Sequence, residues 1–141
     1  MSDRKFITPT APRIFVGSHL RVSRGTYSHH GIYVGRRRMI HFSGKADGLL
    51  SGAGPVDYES LNNFFLGAER AELVSHENPL PPTEIVARAR SKLKSADYSL
   101  LFNNCEHFAT WCVTGEAQSS QINVIRKRGL IEFLIRQVFF E

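Results

Sequence analysis

Alternation of apolar and polar residues marks the N-terminal half of the chain as a series of short β-strands. Residues 19–23 alternate with the period of two that a half-buried strand shows. Two further runs, 29–35 and 39–43, are rich in β-branched and aromatic residues and flank a basic turn, which predicts a β-hairpin. Another strand is predicted at 71–74. The first half therefore predicts an antiparallel sheet.

Helical spacing dominates the second half. Thr83 is a good helix cap, and apolar side chains recur on one helix face from there to about residue 93. A short helix ending at residue 65 is predicted to begin at Asp57 or Ser60, after a glycine-rich loop at 44–55. Two more helices are predicted, one from 103–105 to about 113 and one at 129–140. Strands followed by helices indicate the α+β class, with an antiparallel β-sheet packed against helices.

The composition is that of one globular domain. Of the 141 residues, 42% are hydrophobic and 22% are charged. Residues 1–13 are polar and carry two prolines, so they predict a flexible N-terminal arm ahead of a single domain at 14–141. The net charge of +5 suits an anionic partner without selecting one. The sequence has no glycine-rich phosphate loop and no interleaving of aromatic and basic residues, so no nucleic-acid partner is expected.

The two cysteines, Cys105 and Cys112, lie on one predicted helix. Their spacing separates the Cα atoms by about 10 Å, whereas a disulfide requires less than roughly 7 Å. Two free thiols suit a reducing compartment. No signal-peptide core and no apolar run of membrane-spanning length is evident in the sequence. These features predict a cytoplasmic protein. Peripheral membrane contact through the basic turn at 36–38 and the helix at 129–140 is a further hypothesis.

Residues 103–108, Asn-Asn-Cys-Glu-His-Phe, carry the candidate chemistry. An asparagine cap puts Cys105 in the first turn of a helix, where the helix dipole and free backbone N–H groups favour a thiolate and can hold an oxyanion. On composition alone, an apolar core role for Cys105 is an equal alternative. Cys105 and His107 lack the paired spacing of a zinc site, so neither a metal nor a cofactor is predicted.

A nucleophilic thiol needs a base, and the predicted hairpin offers His29 and His30. Side chains alternate faces along a strand, and residues opposite one another in an antiparallel pair share a face. A hairpin loop with an odd number of residues, such as 35–37, places His29 on the same face as Tyr33 and His41. An even loop, such as 36–37, places His30 with His41 instead. Strand parity therefore leaves the base open between His29 and His30.

Four segments carry a family resemblance. They are Ser18-His19-Leu20-Arg21-Val22, His29-His30-Gly31-Ile32-Tyr33-Val34-Gly35, Met39-Ile40-His41-Phe42-Ser43-Gly44 and Asn103-Asn104-Cys105-Glu106-His107-Phe108-Ala109, the last continuing from Trp111 to Gly115. These segments occur in this order, and His29 and His41 are twelve residues apart. In both respects the chain resembles the lecithin:retinol acyltransferase (LRAT)-like family of the NlpC-type papain-like superfamily. The resemblance covers about residues 17–121.

The resemblance implies a permuted papain-like fold with the cysteine at a helix start. Position by position, it implies Cys105 as the nucleophile, His29 as the general base and His41 as the residue that orients the base. Tyr33 is a weaker candidate for substrate binding. The choice of His29 over His30 rests on this analogy and not on strand parity.

The activity implied by the resemblance is that of a thiol-dependent acyltransferase or lipid acyl hydrolase, which works through an acyl-thioester on the cysteine. Some relatives cleave peptide or amide bonds, so a cysteine peptidase or amidase is the second hypothesis. A non-catalytic binding module that keeps the fold is the third. The expected substrate is accordingly an acyl lipid or, alternatively, a peptide or amide. The animal enzymes carry a membrane-spanning tail, whereas residues 130–136 of this chain form a short apolar segment interrupted by charges.

Overall fold

Six antiparallel strands and three helices make up the computed structural model, which describes residues 3–42, 56–93 and 105–116. The strands are Lys5–Ile7 (β1), His19–Ser23 (β2), Ser28–Gly35 (β3), Arg38–Phe42 (β4), Val56–Ser60 (β5) and Ala71–Val74 (β6). They form one sheet in the order β1-β6-β2-β3-β4-β5. The helices are Leu61–Phe65 (α1), Pro82–Ser91 (α2) and Cys105–Thr114 (α3). The predicted α+β class is confirmed, while the papain-like permutation stays a prediction.

One predicted helix start is confirmed and one is wrong, because Thr83, the predicted cap, lies inside α2, which begins at Pro82. Ser60 is the N-cap of α1, because its side chain accepts a hydrogen bond from the backbone N–H of Asn63. Of the two predicted starts, Ser60 is therefore correct, and Asp57 lies within β5. Pro82 opens α2, a position where the missing N–H of proline has no cost. The predicted loop at 44–55 and the predicted helix at 129–140 lie outside the described residues.

The β3–β4 hairpin decides which histidines share a face. Its turn has two residues, at 36–37, and both have the positive φ that a tight hairpin turn requires. Two residues are an even loop, but the register shifts between Tyr33 and Gly35, where a β-bulge adds one residue to β3. Beyond the bulge Gly31 pairs with His41, so odd-numbered positions of both strands point to one face. The bulge therefore places odd-numbered residues of β3 and β4 on the same face, which is the arrangement expected from a loop with an odd number of residues.

The two faces of the sheet are covered by different helices. Even-numbered residues of β3, such as Ile32 and Val34, belong to a core shared with α2 and α3. Odd-numbered Tyr33 belongs to a second core shared with α1, whose Phe64 is fully buried there. His29 and His30 are neighbours in sequence, yet they lie on opposite faces as a result. His29 is on the α1 face, and His30 is on the face covered by α3.

Two strands differ from the sequence prediction. Lys5–Ile7 falls within the predicted flexible arm, yet it pairs antiparallel with β6 at the edge of the sheet. A three-residue edge strand is held by backbone hydrogen bonds, so it needs no alternation that the sequence would reveal. Val56–Ser60 pairs with β4, where the sequence predicted only the end of a loop and the start of a helix. The domain boundary at residue 14 stays a prediction.

Candidate active site

Cys105 is the first residue of α3, and its sulfur is held by the backbone of β3. The thiol donates to the carbonyl oxygen of Ser28, with 3.5 Å between Sγ and oxygen. The backbone N–H of His30 donates to the sulfur in turn. These two backbone groups flank His29 on β3. The predicted cap at Asn103 lies outside the described residues.

The sulfur lies at the edge of β3 that β4 occupies further along. The backbone N–H of Tyr33 donates to the carbonyl oxygen of Ser18, on the β2 side, with 2.9 Å between nitrogen and oxygen. Alternate residues of a strand direct their backbone groups to opposite edges, so Ser28 and His30 direct theirs to the β4 side. Within the described residues, β4 pairs with β3 only as far as Gly31. The Cys105 sulfur therefore takes the next place at this edge, and Cys105 packs against the core shared with α2 and α3.

The protonation state of Cys105 follows from its burial. Burial raises the pKa of the Cys105 thiol, although the backbone N–H groups of His30, Cys105 and Glu106 act in the opposite direction. The nearby carboxylate of Glu106 adds to the rise. The support for a thiolate expected at a helix start is present but is outweighed by desolvation. The group is a thiol at neutral pH and needs a base before it can attack.

His29, His41 and Glu59 meet on the α1 face of the sheet. The Nε2 of His29 lies 3.0 Å from Oε2 of Glu59 in a hydrogen bond, and the Nδ1 of His41 lies 3.2 Å from the same oxygen. The two imidazoles meet edge to face, with 4.9 Å between ring centroids. All three side chains are largely buried. The structure therefore brings together the two histidines singled out in the sequence and adds a carboxylate between them. We refer to these three residues as the His-Glu cluster.

Burial favours a neutral His41, whereas the surrounding groups favour an ionised Glu59. Burial lowers the pKa of His41 to about 4, with help from the charges of His29 and Arg24 and against those of Glu59 and Asp57. Burial alone would raise the pKa of Glu59, but the hydrogen bond from His29 and the charges of His41, His29 and Arg24 hold it below its usual range. Arg24 lies 3.4 Å from Oε1 of Glu59 and also binds the carbonyl oxygens of Asn63 and Phe64 in α1. The carboxylate is thus fixed from both sides.

A second group of histidines lies on the other side of β3. His76 Nε2 lies 2.7 Å from His19 Nδ1, and His19 Nε2 lies 2.7 Å from His30 Nδ1. His30 Nε2 in turn lies 4.0 Å from Oε2 of Glu106. We refer to His76, His19 and His30 as the histidine row. The structure therefore places His30 with His19 and not with His41. Within the described residues, no hydrogen bond joins the Cys105 sulfur to an imidazole of either group.

Similarity to known proteins extends over most of the chain. A family model described as lecithin retinol acyltransferase matches residues 12–118. This span includes β2, β3, β4, β5, β6 and all three helices. The chain belongs to the lecithin retinol acyltransferase family.

Individual members of the family match most of this chain. Lecithin retinol acyltransferase of Rattus norvegicus is 30% identical over 147 residues, which covers 85% of this chain and 62% of the rat protein. Phospholipase A and acyltransferase 2 of Homo sapiens is 30% identical over 125 residues, covering 79% of this chain and 77% of its own length. Phospholipase A and acyltransferase 1 of Homo sapiens is 28% identical over 141 residues, covering 86% and 79%. The chain thus spans about three fifths of the rat protein.

Other features named in the sequence analysis lie away from Cys105. Tyr33 is buried, and its hydroxyl accepts a hydrogen bond from the backbone N–H of Arg37 in the β3–β4 turn. This turn is at the opposite end of β3 from Ser28, and seven strand residues span roughly 23 Å. A substrate-binding role for Tyr33 stays a prediction, as does membrane contact through the basic turn. None of the helices in the described ranges is long and apolar enough to cross a membrane.

Sequence reasoning missed Glu59 and the histidine row. Residues 56–60 alternate between apolar or aromatic and acidic side chains, which is a strand signal that would have placed Glu59 in the sheet. His19 and His76 are 57 residues apart, and no local pattern links them. Only the pairing of β2 with β6, His19 opposite Val74, brings that part of the chain beside His19.

Proposed function

We propose that this chain is a thiol-dependent acyltransferase or lipid acyl hydrolase that works through an acyl-thioester on Cys105. His29 is the general base, and His41 and Glu59 orient it. The observation that carries the proposal is the position of the Cys105 sulfur, which is bound by the backbone on both sides of His29. Nucleophilic catalysis by cysteine requires an imidazole that can take the proton of the thiol, and a carboxylate that orients this ring supports its role as base.

The orientation of His29 supports its role as base. Its Nε2 is engaged with Glu59, so Nδ1 is the nitrogen that serves as base in this proposal. The carboxylate accepts the Nε2–H and stabilises the imidazolium that forms when the ring takes a proton. His41 packs against the edge of the same ring and contacts the same carboxylate oxygen. His41 thus orients the base partly through Glu59.

The reaction proceeds in two halves. His29 takes the proton of the Cys105 thiol, and the sulfur attacks the ester carbonyl carbon of the lipid. Backbone N–H groups at the start of α3 hold the oxyanion. The ester C–O bond breaks as His29 protonates the leaving alcohol, which leaves an acyl-thioester. Water or an amine then attacks the thioester with His29 as its base, and the thiol is released with the acid or amide.

An acyl lipid is the substrate class that the relatives favour. Their names assign a phospholipase A and acyltransferase activity to the human proteins and a lecithin retinol acyltransferase activity to the rat protein. Exposed apolar residues at the Cys105 end of the sheet fit an approach to lipid. Tyr27 precedes Ser28 and is 57% exposed, and Leu66 at the end of α1 is 67% exposed. Both lie at the end of β3 where the Cys105 sulfur is bound.

The test is to incubate purified protein with phosphatidylcholine vesicles, quench in acid and measure the intact mass. The wild type should gain one acyl chain, located on Cys105 by peptide mapping. Cys105→Ser should gain none, and His29→Gln should gain it much more slowly. His76→Gln removes a histidine of the other group and is the matched control, expected to behave as the wild type. Absence of both an adduct and released fatty acid across several phospholipid classes would contradict the proposal.

The peptidase or amidase hypothesis is separated by a paired labelling experiment. Fatty-acyl and peptidyl electrophiles of equal intrinsic reactivity are offered to the native protein, and the rates of Cys105 modification are compared. Faster labelling by the fatty-acyl reagent supports the lipid proposal. Faster labelling by the peptidyl reagent supports a peptidase. A Cys105 that reacts with both no faster than a free peptide thiol indicates a binding module.

A further inference from the structure

We propose that His29, His41 and Glu59 form a binding site for a zinc ion. Each residue directs one ligand atom to a common point, and the three atoms all lie within 4.8 Å of one another. Two imidazole nitrogens and one carboxylate oxygen are a ligand set that Zn²⁺ takes in proteins, with remaining positions filled by water or substrate. This inference concerns binding of the ion and does not depend on the acyl transfer proposed above.

The two contacts of the Glu59 carboxylate have the spacing of tetrahedral coordination. Bonds of 2.0–2.1 Å to a tetrahedral zinc place neighbouring ligand atoms about 3.3 Å apart. In the structure Oε2 of Glu59 lies 3.0 Å from Nε2 of His29 and 3.2 Å from Nδ1 of His41. All three ligand atoms lie within 4.8 Å of one another, so the two imidazole nitrogens would move closer together when an ion binds.

The contact between His41 and Glu59 is better explained by a shared ion than by a hydrogen bond. The Nδ1 of His41 is buried and makes no hydrogen bond within the described residues, although Oε2 of Glu59 is 3.2 Å away. The contact is short but poorly aligned for an N–H donor. A ring nitrogen buried without a hydrogen-bond partner has a desolvation cost, which coordination to a metal would remove. Both atoms would then bind the ion and not each other.

The surroundings of the cluster define how the ion would be held. The three ligands come from β3, β4 and β5, which are adjacent strands, and so from rigid elements. Arg24 binds the other carboxylate oxygen of Glu59 at 3.4 Å, which leaves Oε2 to bind the metal through a single oxygen. Phe64 covers one side of the His29 ring at 5.2 Å between centroids.

Zinc and base catalysis exclude each other at His29. A metal on Nε2 replaces the hydrogen bond from His29 to Glu59, so the imidazole loses its orienting partner. Zinc should therefore inhibit formation of the acyl-thioester. This consequence rests on the proposed function, whereas binding of the ion does not.

The experiment uses the full chain without a histidine tag, stripped of metal and titrated with Zn²⁺ by calorimetry. The wild type should bind one ion per chain, and Glu59→Gln and His41→Gln should each weaken binding by roughly tenfold or more. His76→Gln and Cys105→Ser should retain it. With Co²⁺ as the probe, the visible spectrum should lack the charge-transfer band of a thiolate ligand. Circular dichroism of each variant in its metal-free form shows whether the variant is folded. If Glu59→Gln is unfolded, His29→Gln takes its place in the titration.

Three results would overturn the inference. They are failure of the wild type to bind a single ion, binding that survives in folded variants of the His-Glu cluster, and binding that is lost in Cys105→Ser. The proposed function fails separately, because metal-free wild type that forms no acyl-thioester contradicts acyl transfer while leaving the zinc site intact.

Discussion

Two groups of histidines flank the same strand, and they differ in what lies between the rings. In the His-Glu cluster a buried carboxylate contacts both imidazoles. In the histidine row the rings contact one another directly, and the nearest carboxylate, that of Glu106, is 4.0 Å from His30 and lies at the end of the row. A carboxylate carries a negative charge that stabilises a neighbouring imidazolium, whereas a neutral ring carries none.

The pKa directions do not separate the two groups, because burial lowers the pKa of His41 to about 4 as well. Burial lowers the pKa of His30 to about 4, and the charges of Arg21, His29 and His76 lower it further. Burial also lowers the pKa of His19 well below its ordinary value, and the charges of His30, His76 and Arg21 add to this. The row is therefore neutral at pH 7 and is suited to packing against α3. The His-Glu cluster differs by its carboxylate, which contacts both rings and can stabilise an imidazolium.

The largest expected effect comes from substituting each of the two neighbouring histidines, His29 and His30, in turn. His29→Gln should lower the rate of acylation of Cys105 by about 10²–10⁴, the usual worth of a general base. His30→Gln should lower it by no more than about tenfold, because it removes a ring that only supports the strand. Single-turnover acylation followed by intact mass measures both. The reverse order would transfer the role of base to the histidine row.

The histidine row should make stability depend on pH. In the unfolded chain His30 has its ordinary pKa of 6.5, so between that pH and about 4 the unfolded state binds more protons than the folded state. The contribution of neutral His30 to the free energy of unfolding is fully present above pH 6.5 and decreases as the pH falls to about 4. At about 1.4 kcal/mol per pH unit, His30 alone should account for a loss of about 3 kcal/mol. Urea unfolding of metal-free protein at several pH values checks this, and His30→Gln should flatten the dependence. An equal slope in that variant would contradict the assignment.

Glu59 should act on catalysis through the base. Glu59→Gln keeps the shape of the side chain but loses its charge, and should lower kcat by about 10–100-fold with little change in KM. Glu59→Asp should recover part of the loss. The matched control is Glu72→Gln, which breaks a similar ion pair with Arg21, at 3.0 Å, on the same sheet. If Glu72→Gln lowers kcat equally, Glu59 has a structural role only.

The smallest effect concerns the route by which lipid reaches the site. Tyr27→Ser combined with Leu66→Ser should reduce acylation from vesicles by roughly fivefold or less, because two exposed apolar contacts with the membrane surface are lost. Acylation by a water-soluble ester should not change. Phe15→Ser is the control, since Phe15 is 72% exposed but lies near the opposite end of the sheet. A larger effect of Phe15→Ser would place the membrane contact at the basic turn.

The elements with strong local patterns could be predicted from sequence. The alternation in β2, β3 and β6, the helix that begins at Cys105 and the motif order that indicated the family are all properties of short segments. The elements that lack local patterns could not. β1 is an edge strand of only three residues held by its backbone, and β5 follows a glycine-rich stretch that concealed its alternation.

By itself the sequence determined that a cysteine opens a helix, that two histidines sit on a hairpin, and that the chain resembles one family. Only the tertiary structure decided which histidine faces which partner. The bulge between Tyr33 and Gly35 adds one residue to β3 and thereby turns His29 toward His41. Strand pairing then places Glu59, 18 positions beyond His41, against both rings. Side-chain facing depends on register, and register is determined by the pairing of whole strands and not by the residues that carry the chemistry.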